Sequence, residues 1–209
     1  MKKTLLLSIL FFSFLFYGCV SSKFTYTPPK EIKRIENTIV VNSSKDAVWK
    51  KLIQGIGTNF FVINNMDKES GFINISYSGD PEKFVEGGEL HHYFSNARGE
   101  RNYIFPGSRA YTQYETMIDG SLCVLTRKLD LDGRMNVLVS EIDSLQTSVT
   151  VNTKYIITMN VSGQDVLGKP LIPHNEVISF NTGQSAKNAG GTEFYSNGEF
   201  EEAILKLVR

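Results

Sequence analysis

The sequence contains few of the residues from which metal sites, disulfides and nucleic-acid faces are built. Its 209 residues include two cysteines, three histidines and one tryptophan. The 22 lysines and arginines equal the 22 aspartates and glutamates, so the formal net charge is zero. Nucleic-acid binding usually needs a basic face, and a polybasic membrane contact needs clustered cations. We therefore expect no nucleic-acid partner and no membrane contact made by charge alone.

One long apolar run is present, and it lies at the N-terminus. Lys2 and Lys3 precede residues 5–17, which are apolar except for Ser8 and Ser13. A run of about 13 residues is shorter than the ~20 that a membrane-spanning helix needs, but it is typical of a signal-peptide core. The pattern therefore predicts export, with residues 1–18 as the signal peptide.

The run ends in Phe16-Tyr17-Gly18-Cys19, which resembles a bacterial lipobox. The resemblance implies cleavage after Gly18, a thioether between Cys19 and diacylglycerol, and acylation of the freed amine. Two or more acyl chains hold a protein stably on a membrane, whereas one holds it only marginally. The other interpretations are an ordinary secretory signal with a chance cysteine, and an uncleaved anchor. Residues 20–30 give that anchor no apolar extension.

The residues after Cys19 suggest a location and a tether. Val20 resembles the residue found there in lipoproteins sent to the outer membrane, where aspartate would mark retention. The resemblance implies the periplasmic face of the outer membrane. Residues 19–35 are predicted to be the lipidated cysteine and a flexible tether. Residues 36–209 are predicted to be a single domain.

The second cysteine has no partner if the first is lipidated. Cys123 lies in the apolar run Leu122-Cys123-Val124-Leu125, which is typical of a strand. A buried thiol is inert and tolerated in an oxidising compartment. We predict that Cys123 is buried and unreactive.

Residues 38–77 have the pattern of a strand, a helix, two further strands and a turn between them. The apolar positions of the helix recur at helical spacing: Val48, Trp49, Leu52, Ile53 and Ile56. Ser44 precedes the helix as an N-cap candidate. Residues 60–63 form the next apolar run, residues 67–71 a turn, and residues 72–77 alternate as a half-buried strand does.

Residues 40–77 resemble a helix-grip module of the BamC type, a lipoprotein of the outer-membrane β-barrel assembly machine. The shared features are Trp49 early in the helix, Gly57 and Phe60 around the next strand, Asp67 and Gly71 in the turn, and a closing Tyr77. The resemblance implies a helix-grip fold and contacts with other envelope proteins. That family has two modules and a long partner-binding N-terminal segment, whereas this chain has room for one module and a short tether.

Residues 78–108 are predicted to be a long connection with interleaved aromatic and charged residues. Connections of this length are usually functional or disordered, and aromatic residues disfavour disorder. We place a candidate binding loop here, with an irregular structural cover as the alternative. Its candidate residues are Phe84, Tyr93, Phe94, Arg98, Arg101, Tyr103 and Phe105.

From residue 110 the pattern predicts an antiparallel meander. Turns are expected at Asp119-Gly120, Asp132-Gly133 and Asp143-Ser144, because Asp-Gly between alternating runs is a strong hairpin signal. Residues 145–161 alternate as a long strand, and residues 177–180 are expected to be an edge strand. Residues 182–192 are predicted to be a loop.

The C-terminus is predicted to be an amphipathic helix. Ser196 and Glu199 resemble a capping box. The apolar stripe is formed by Phe200, Ile204, Leu207 and Val208. Glu201 is expected on the solvent side, and the apolar stripe on the sheet.

No catalytic or metal motif is recognisable. His91 and His92 are adjacent in the sequence, and adjacent residues on a strand point to opposite faces. Glu89 and His91 could share a face, but zinc needs three or four ligands and the spacing places no others. Asp130 to Gly133 lack the later ligands of a calcium loop. We expect no enzyme, no cofactor and no metal.

The predicted fold is α+β: a helix-grip domain in which an antiparallel sheet packs against an N-proximal and a C-terminal helix. The predicted function is that of a lipid-anchored envelope lipoprotein acting through protein contacts. The alternative is a helix-grip module that binds a small apolar ligand or lipid.

Overall fold

The computed structural model describes residues 21–96 and 98–209. They form a mostly antiparallel β protein with two short helices, one N-proximal and one C-terminal, as predicted at this level. The helices are α1 (Lys45–Gly57) and α2 (Glu199–Leu205), and a 3-10 helix covers Pro81–Lys83. The strands are β1 (Ser21–Thr27), β2 (Thr38–Val41), β3 (Val62–Asp67), β4 (Phe72–Gly79), β5 (Val85–Glu86), β6 (Glu89–Asn96), β7 (Gly99–Pro106), β8 (Tyr111–Ile118), β9 (Ser121–Asp143), β10 (Gln146–Asp165), β11 (His174–Asn181), β12 (Ser185–Lys187) and β13 (Glu193–Ser196).

The long hairpin β9–β10 is the spine of the fold. Its pairing runs from Cys123 opposite Asp165 to Asp143 opposite Gln146. β8 and β4 pair with successive halves of β9, and β2 and β11 pair with successive parts of β10. With β3 beside β4, these strands make a seven-stranded sheet. The predicted edge strand near residues 177–180 is confirmed as β11.

Both helices pack on the same face of this sheet. The inward residues of β10 alternate as predicted, and Val149, Val151, Tyr155 and Ile157 are fully buried. They share one apolar cluster with the stripe of α1 and with Phe200 of α2. Burial of each such side chain stabilises the fold by roughly 1.5–3 kcal/mol. Neither α1 nor α2 packs on the other face of the sheet.

The two Asp-Gly turns predicted in the meander have different outcomes. Asp119 (φ 49°) and Gly120 (φ 77°) form the turn between β8 and β9, with the positive φ angles that a two-residue hairpin requires. The turn predicted at Asp132-Gly133 is wrong, because both residues lie inside β9, paired with Ile156 and Tyr155.

Residues 78–108 are not the irregular connection that was predicted. β6 and β7 form a hairpin within them, and β1 pairs with β6 along its whole length. The prediction of a flexible tether is therefore wrong for Ser21–Thr27. Phe24 to Thr27 all have high β-propensity, but their pairing partner lies far away in the sequence.

β1, β6 and β7 form a second sheet of three strands, and a third sheet, also of three strands, has the order β12–β13–β5. β12 lies within residues 182–192, which were predicted to be a loop throughout. The helix α2 follows, and its N-cap is Gly198 with φ 85°. The side chain of Asn197 accepts a hydrogen bond from the Glu199 N–H, so the capping box predicted at Ser196 is wrong. In the described part of the chain, neither helix is long and apolar enough to cross a bilayer.

Candidate functional site

Three of the seven candidate binding-loop residues are buried. The side chains of Phe84, Phe94 and Phe105 are 1%, 2% and 2% exposed. Phe84 stacks on Phe200 in the main core, with 3.8 Å between ring centroids. Phe94 and Phe105 are buried on β6 and β7, outside that main cluster. These three rings stabilise the fold and are not available to a partner.

The other four candidates lie on the β6–β7 hairpin. Tyr93 is half-buried, and Arg98 is exposed at the tip of the hairpin. Arg101 and Tyr103 meet at Glu115 of β8: Arg101 Nε lies 3.4 Å from Oε2, and the Tyr103 hydroxyl donates to it over 3.2 Å. Burial raises the pKa of the Tyr103 phenol, so it donates at neutral pH. The seven residues therefore do not converge on one site.

Two polar side chains are buried between β6–β7 and the adjoining strands. His92 Nε2 lies 2.9 Å from the Glu115 carbonyl oxygen, and its Nδ1 has no partner among the described residues. Arg127 Nη2 donates to the Gly107 carbonyl over 2.6 Å. Burial lowers the pKa of Arg127 to about 10, so it stays charged at neutral pH. At 3% and 4% exposure, these residues tie strands together and do not face a substrate.

Cys123 and the adjacent pair His91 and His92 have the environments that the sequence predicts. Cys123 is 1% exposed, so its predicted burial is confirmed. His91 pairs with Glu89 at the surface while His92 is buried, which confirms that they point to opposite faces. Within residues 21–96 and 98–209, no three His, Cys, Asp or Glu side chains converge to hold a metal. Gly18 and Cys19, the predicted cleavage and lipidation sites, lie outside the described residues.

A row of asparagines crosses the face of the large sheet that carries no helix. Asn74 of β4 lies opposite Asn136 of β9, which lies opposite Asn152 of β10. The Asn64 amide donates to Asn74 Oδ1 over 3.0 Å, and the Asn74 amide donates to Asn136 Oδ1 over 2.7 Å. Asn37, just before β2, continues the row by donating to Asn152 Oδ1 over 2.9 Å. We call these five residues the amide row.

Three members of the amide row, Asn74, Asn136 and Asn152, line a shallow depression of about 550 Å³, which Arg134, Lys154 and Asn181 also line. The Oδ1 atoms of Asn136 and Asn152 accept hydrogen bonds within the row, and both residues are exposed, so their amide groups are accessible from solvent. Amides supply both donors and acceptors without a net charge. The surface can therefore offer hydrogen bonds to the polar backbone or side-chain groups of another molecule.

Sequence reasoning missed the amide row, although part of its signal was visible. Asn74, Asn136 and Asn152 each occupy an outward position of an alternating strand. The row exists only because the register places them side by side, and register between distant strands cannot be read from one strand.

Comparison with protein-family models, curated proteins and solved structures finds no match to this chain. The amide row and the N-terminal anchor sequence therefore carry the functional proposal.

Proposed function

We propose that this chain is a lipid-anchored lipoprotein of the bacterial envelope, on the periplasmic face of the outer membrane. It acts without catalysis, through contacts between its uncovered sheet face and other envelope proteins. The observation that carries the proposal is the amide row on a broad sheet face that neither helix covers. A strand face without a covering layer is a natural surface for a second protein.

The composition of that face supports a protein partner. Apolar side chains flank the amide row: Val40, Leu138 and Val177 are 57%, 44% and 66% exposed and point outward. Protein interfaces of the non-obligate type are about as apolar as ordinary surface, with roughly one hydrogen bond per 100–200 Å². A mixture of amides, hydroxyls and scattered aliphatic groups fits that description.

The filled space between the sheet and α2 favours this proposal over ligand binding. A helix-grip module that holds a small apolar ligand or lipid needs a cavity of roughly 300 Å³ or more there. That space holds Phe200 and Phe84, stacked at 3.8 Å, and Tyr155 stacked on Phe180 at 5.1 Å. We also propose that the arrangement is a helix-grip fold related to the BamC type, supported by both helices lying on one sheet face.

The anchor is tested separately from the contacts. In cells fed an alkyne fatty acid, the wild-type chain should incorporate label and fractionate with membranes, and Cys19→Ser should lose both properties. Cys123→Ser is the matched control and should keep the label. Label retained by Cys19→Ser would remove the lipid anchor from the proposal.

The contact surface is tested with photo-crosslinking amino acids in intact cells. Probes that replace Asn136 and Asn152 should give discrete adducts with envelope proteins, identified by mass spectrometry. A probe at Lys51, exposed on α1, is the control for random collision and should give none. Equal adduct patterns at all three positions, or none at the first two, would contradict the proposed surface.

A further inference from the structure

The loop between β10 and β11 has the most exposed apolar side chains of the described chain. Leu167 and Ile172 are 89% and 95% exposed, and Val166 is 61% exposed. We infer that residues 166–173 insert their apolar tip into the bilayer beside the lipid anchor. The inference deepens the proposed function and rests on its assignment of Cys19 as the lipidated residue.

The backbone of this loop is held by its own hydrogen bonds. Asp165 Oδ1 accepts from the N–H groups of Leu167 and Lys169, each over 2.9 Å. The Asp165 N–H donates to the Lys169 carbonyl over 3.0 Å, and Pro170 has no N–H to satisfy. Unpaired backbone groups are the main penalty for placing irregular chain in a membrane. The N–H groups of Val166, Gly168 and Leu171 donate to the carbonyls of Leu122, Asp165 and Gly163. The backbone donors of residues 166–171 therefore have acceptors while the apolar side chains of the loop are exposed.

The loop lies at the same end of the molecule as the anchor. Ser22 Oγ of β1 is 3.4 Å from Thr116 Oγ1 of β8. Thr116 lies opposite Cys123 of β9, and Cys123 lies opposite Asp165 at the base of the loop. Adjacent strands are about 4.8 Å apart, so the base of the loop is two strand spacings from Thr116, which contacts the start of β1.

The anchor itself has little freedom to move away from this end. Ser21, the first described residue, lies in β1. It follows Cys19 by two residues, and two residues of extended chain reach about 7 Å at most. Acyl chains on Cys19 would therefore hold this end of the protein against the membrane. The fold then brings Leu167 and Ile172 to the bilayer surface.

Charged side chains of both signs are exposed at this end of the molecule. Lys169 is exposed in the loop, Lys23 is exposed on β1, and Arg98 is exposed at the β6–β7 tip. The tip lies next to the start of β1, since Ser21 is opposite Ser95. Glu100, opposite Ser95, and Asp119, in the turn beyond Thr116, are exposed here as well. The inference therefore rests on the apolar side chains of the loop and on its distance from the anchor, and not on net charge.

Tryptophan quenching by brominated lipid tests the inference on the full lipidated protein. Leu167→Trp and Leu145→Trp are reconstituted in phosphatidylethanolamine–phosphatidylglycerol vesicles with and without phosphatidylcholine brominated on its acyl chains. Leu145 is the matched control, because it is 72% exposed and lies in the β9–β10 turn, at the opposite end of the hairpin. The wild-type protein supplies the baseline from Trp49, which is 9% exposed, and this baseline is subtracted from both variants.

The expected result is that Leu167→Trp loses emission in the brominated vesicles, with a blue shift, while the emission of Leu145→Trp does not change. Emission of Leu167→Trp that is unchanged, or lost to the same extent as that of Leu145→Trp, overturns the inference. The acyl mass on Cys19 is measured in the same samples. An acylated Leu167→Trp protein without quenching overturns the loop insertion alone, whereas an unacylated protein overturns the lipid anchor and this inference together.

Discussion

The ring of Phe200 lies directly on the backbone of Gly133. A Cβ atom at position 133 would lie 2.7 Å from Cε2 and 2.8 Å from Cζ of that ring. Phe200 is fully buried on α2, and Gly133 is in the middle of β9. A glycine inside a strand often marks a close approach of another element, and here it lets the C-terminal helix reach the sheet.

Gly133→Ala should destabilise the domain. The new methyl group has no room unless Phe200 moves, and overpacking of this kind costs about 1–3 kcal/mol. Thermal unfolding of residues 21–209 followed by circular dichroism measures the effect. Gly57→Ala is the matched control, because a Cβ there has no neighbour within 4 Å. Equal melting temperatures for the two variants would mean that Phe200 does not lie against β9.

Phe200→Ala should also lower the melting temperature, for the opposite reason. It leaves a cavity between α2 and the sheet, which lowers the free energy of unfolding by about 3–5 kcal/mol. The free energy of unfolding of a domain is typically about 5–15 kcal/mol in total. Lys206→Ala is the control, since its side chain is 63% exposed. If neither substitution shifts the unfolding curve, α2 does not pack on the sheet, and the helix-grip proposal fails with it.

Local sequence patterns predicted most of the helices and strands, but not all of the turns and contacts between them. Asp119-Gly120 and Asp132-Gly133 are equivalent hairpin signals in the sequence, yet only the first is a turn. The second glycine is needed for contact with Phe200, which is distant in the chain, so no local rule separates the two.

The β6 strand was missed for a related reason. Leu90, His92 and Phe94 alternate inward, but a polar inward residue hides the period-two pattern. β1 was missed because its partner is remote. The outward position of each asparagine in the amide row could be predicted from the alternation of its own strand. Their alignment into a row could not, because it depends on the register of β4, β9 and β10.

Stability should fall between neutral and mildly acidic pH because of His92. Burial lowers the pKa of its imidazole, and no described residue offers Nδ1 an acceptor for the N–H that protonation would create. His92 therefore binds a proton more readily in the unfolded chain than in the folded one. Unfolding is favoured as the pH falls through the histidine pKa of the unfolded chain, which is about 6.5. Above that value the stabilisation is fully present.

Melting temperatures at about pH 7.5 and about pH 5.5 measure this effect, because carboxylates titrate lower, with ordinary pKa values of about 4. His92→Gln keeps an N–H donor for the Glu115 carbonyl but does not titrate, so its melting temperature should depend less on pH. His91→Gln, on the exposed side of the same strand, should keep the wild-type dependence. An unchanged slope in His92→Gln would assign the acid sensitivity to other groups.

Glu201 was predicted to face solvent, and that prediction is wrong. Its side chain is fully buried. It accepts from the Tyr155 hydroxyl over 2.9 Å and from the Thr182 hydroxyl over 2.6 Å. Glutamate at this position joins α2 to β10, which an amphipathic pattern cannot indicate because it treats every carboxylate as a solvent-facing residue.

Glu201→Ala should therefore destabilise the domain by about 1–3 kcal/mol, because the hydroxyls of Tyr155 and Thr182 lose this acceptor. Tyr155→Phe should lose part of the same interaction, while keeping the ring that stacks on Phe180. Because the two side chains contact each other, the double variant should lose less than the sum of the single losses, with a coupling of about 0.5–3 kcal/mol. Chemical denaturation of the four proteins gives this cycle. Additive losses would show that Tyr155 and Glu201 do not bond in solution, and that α2 is held to β10 by its apolar stripe alone.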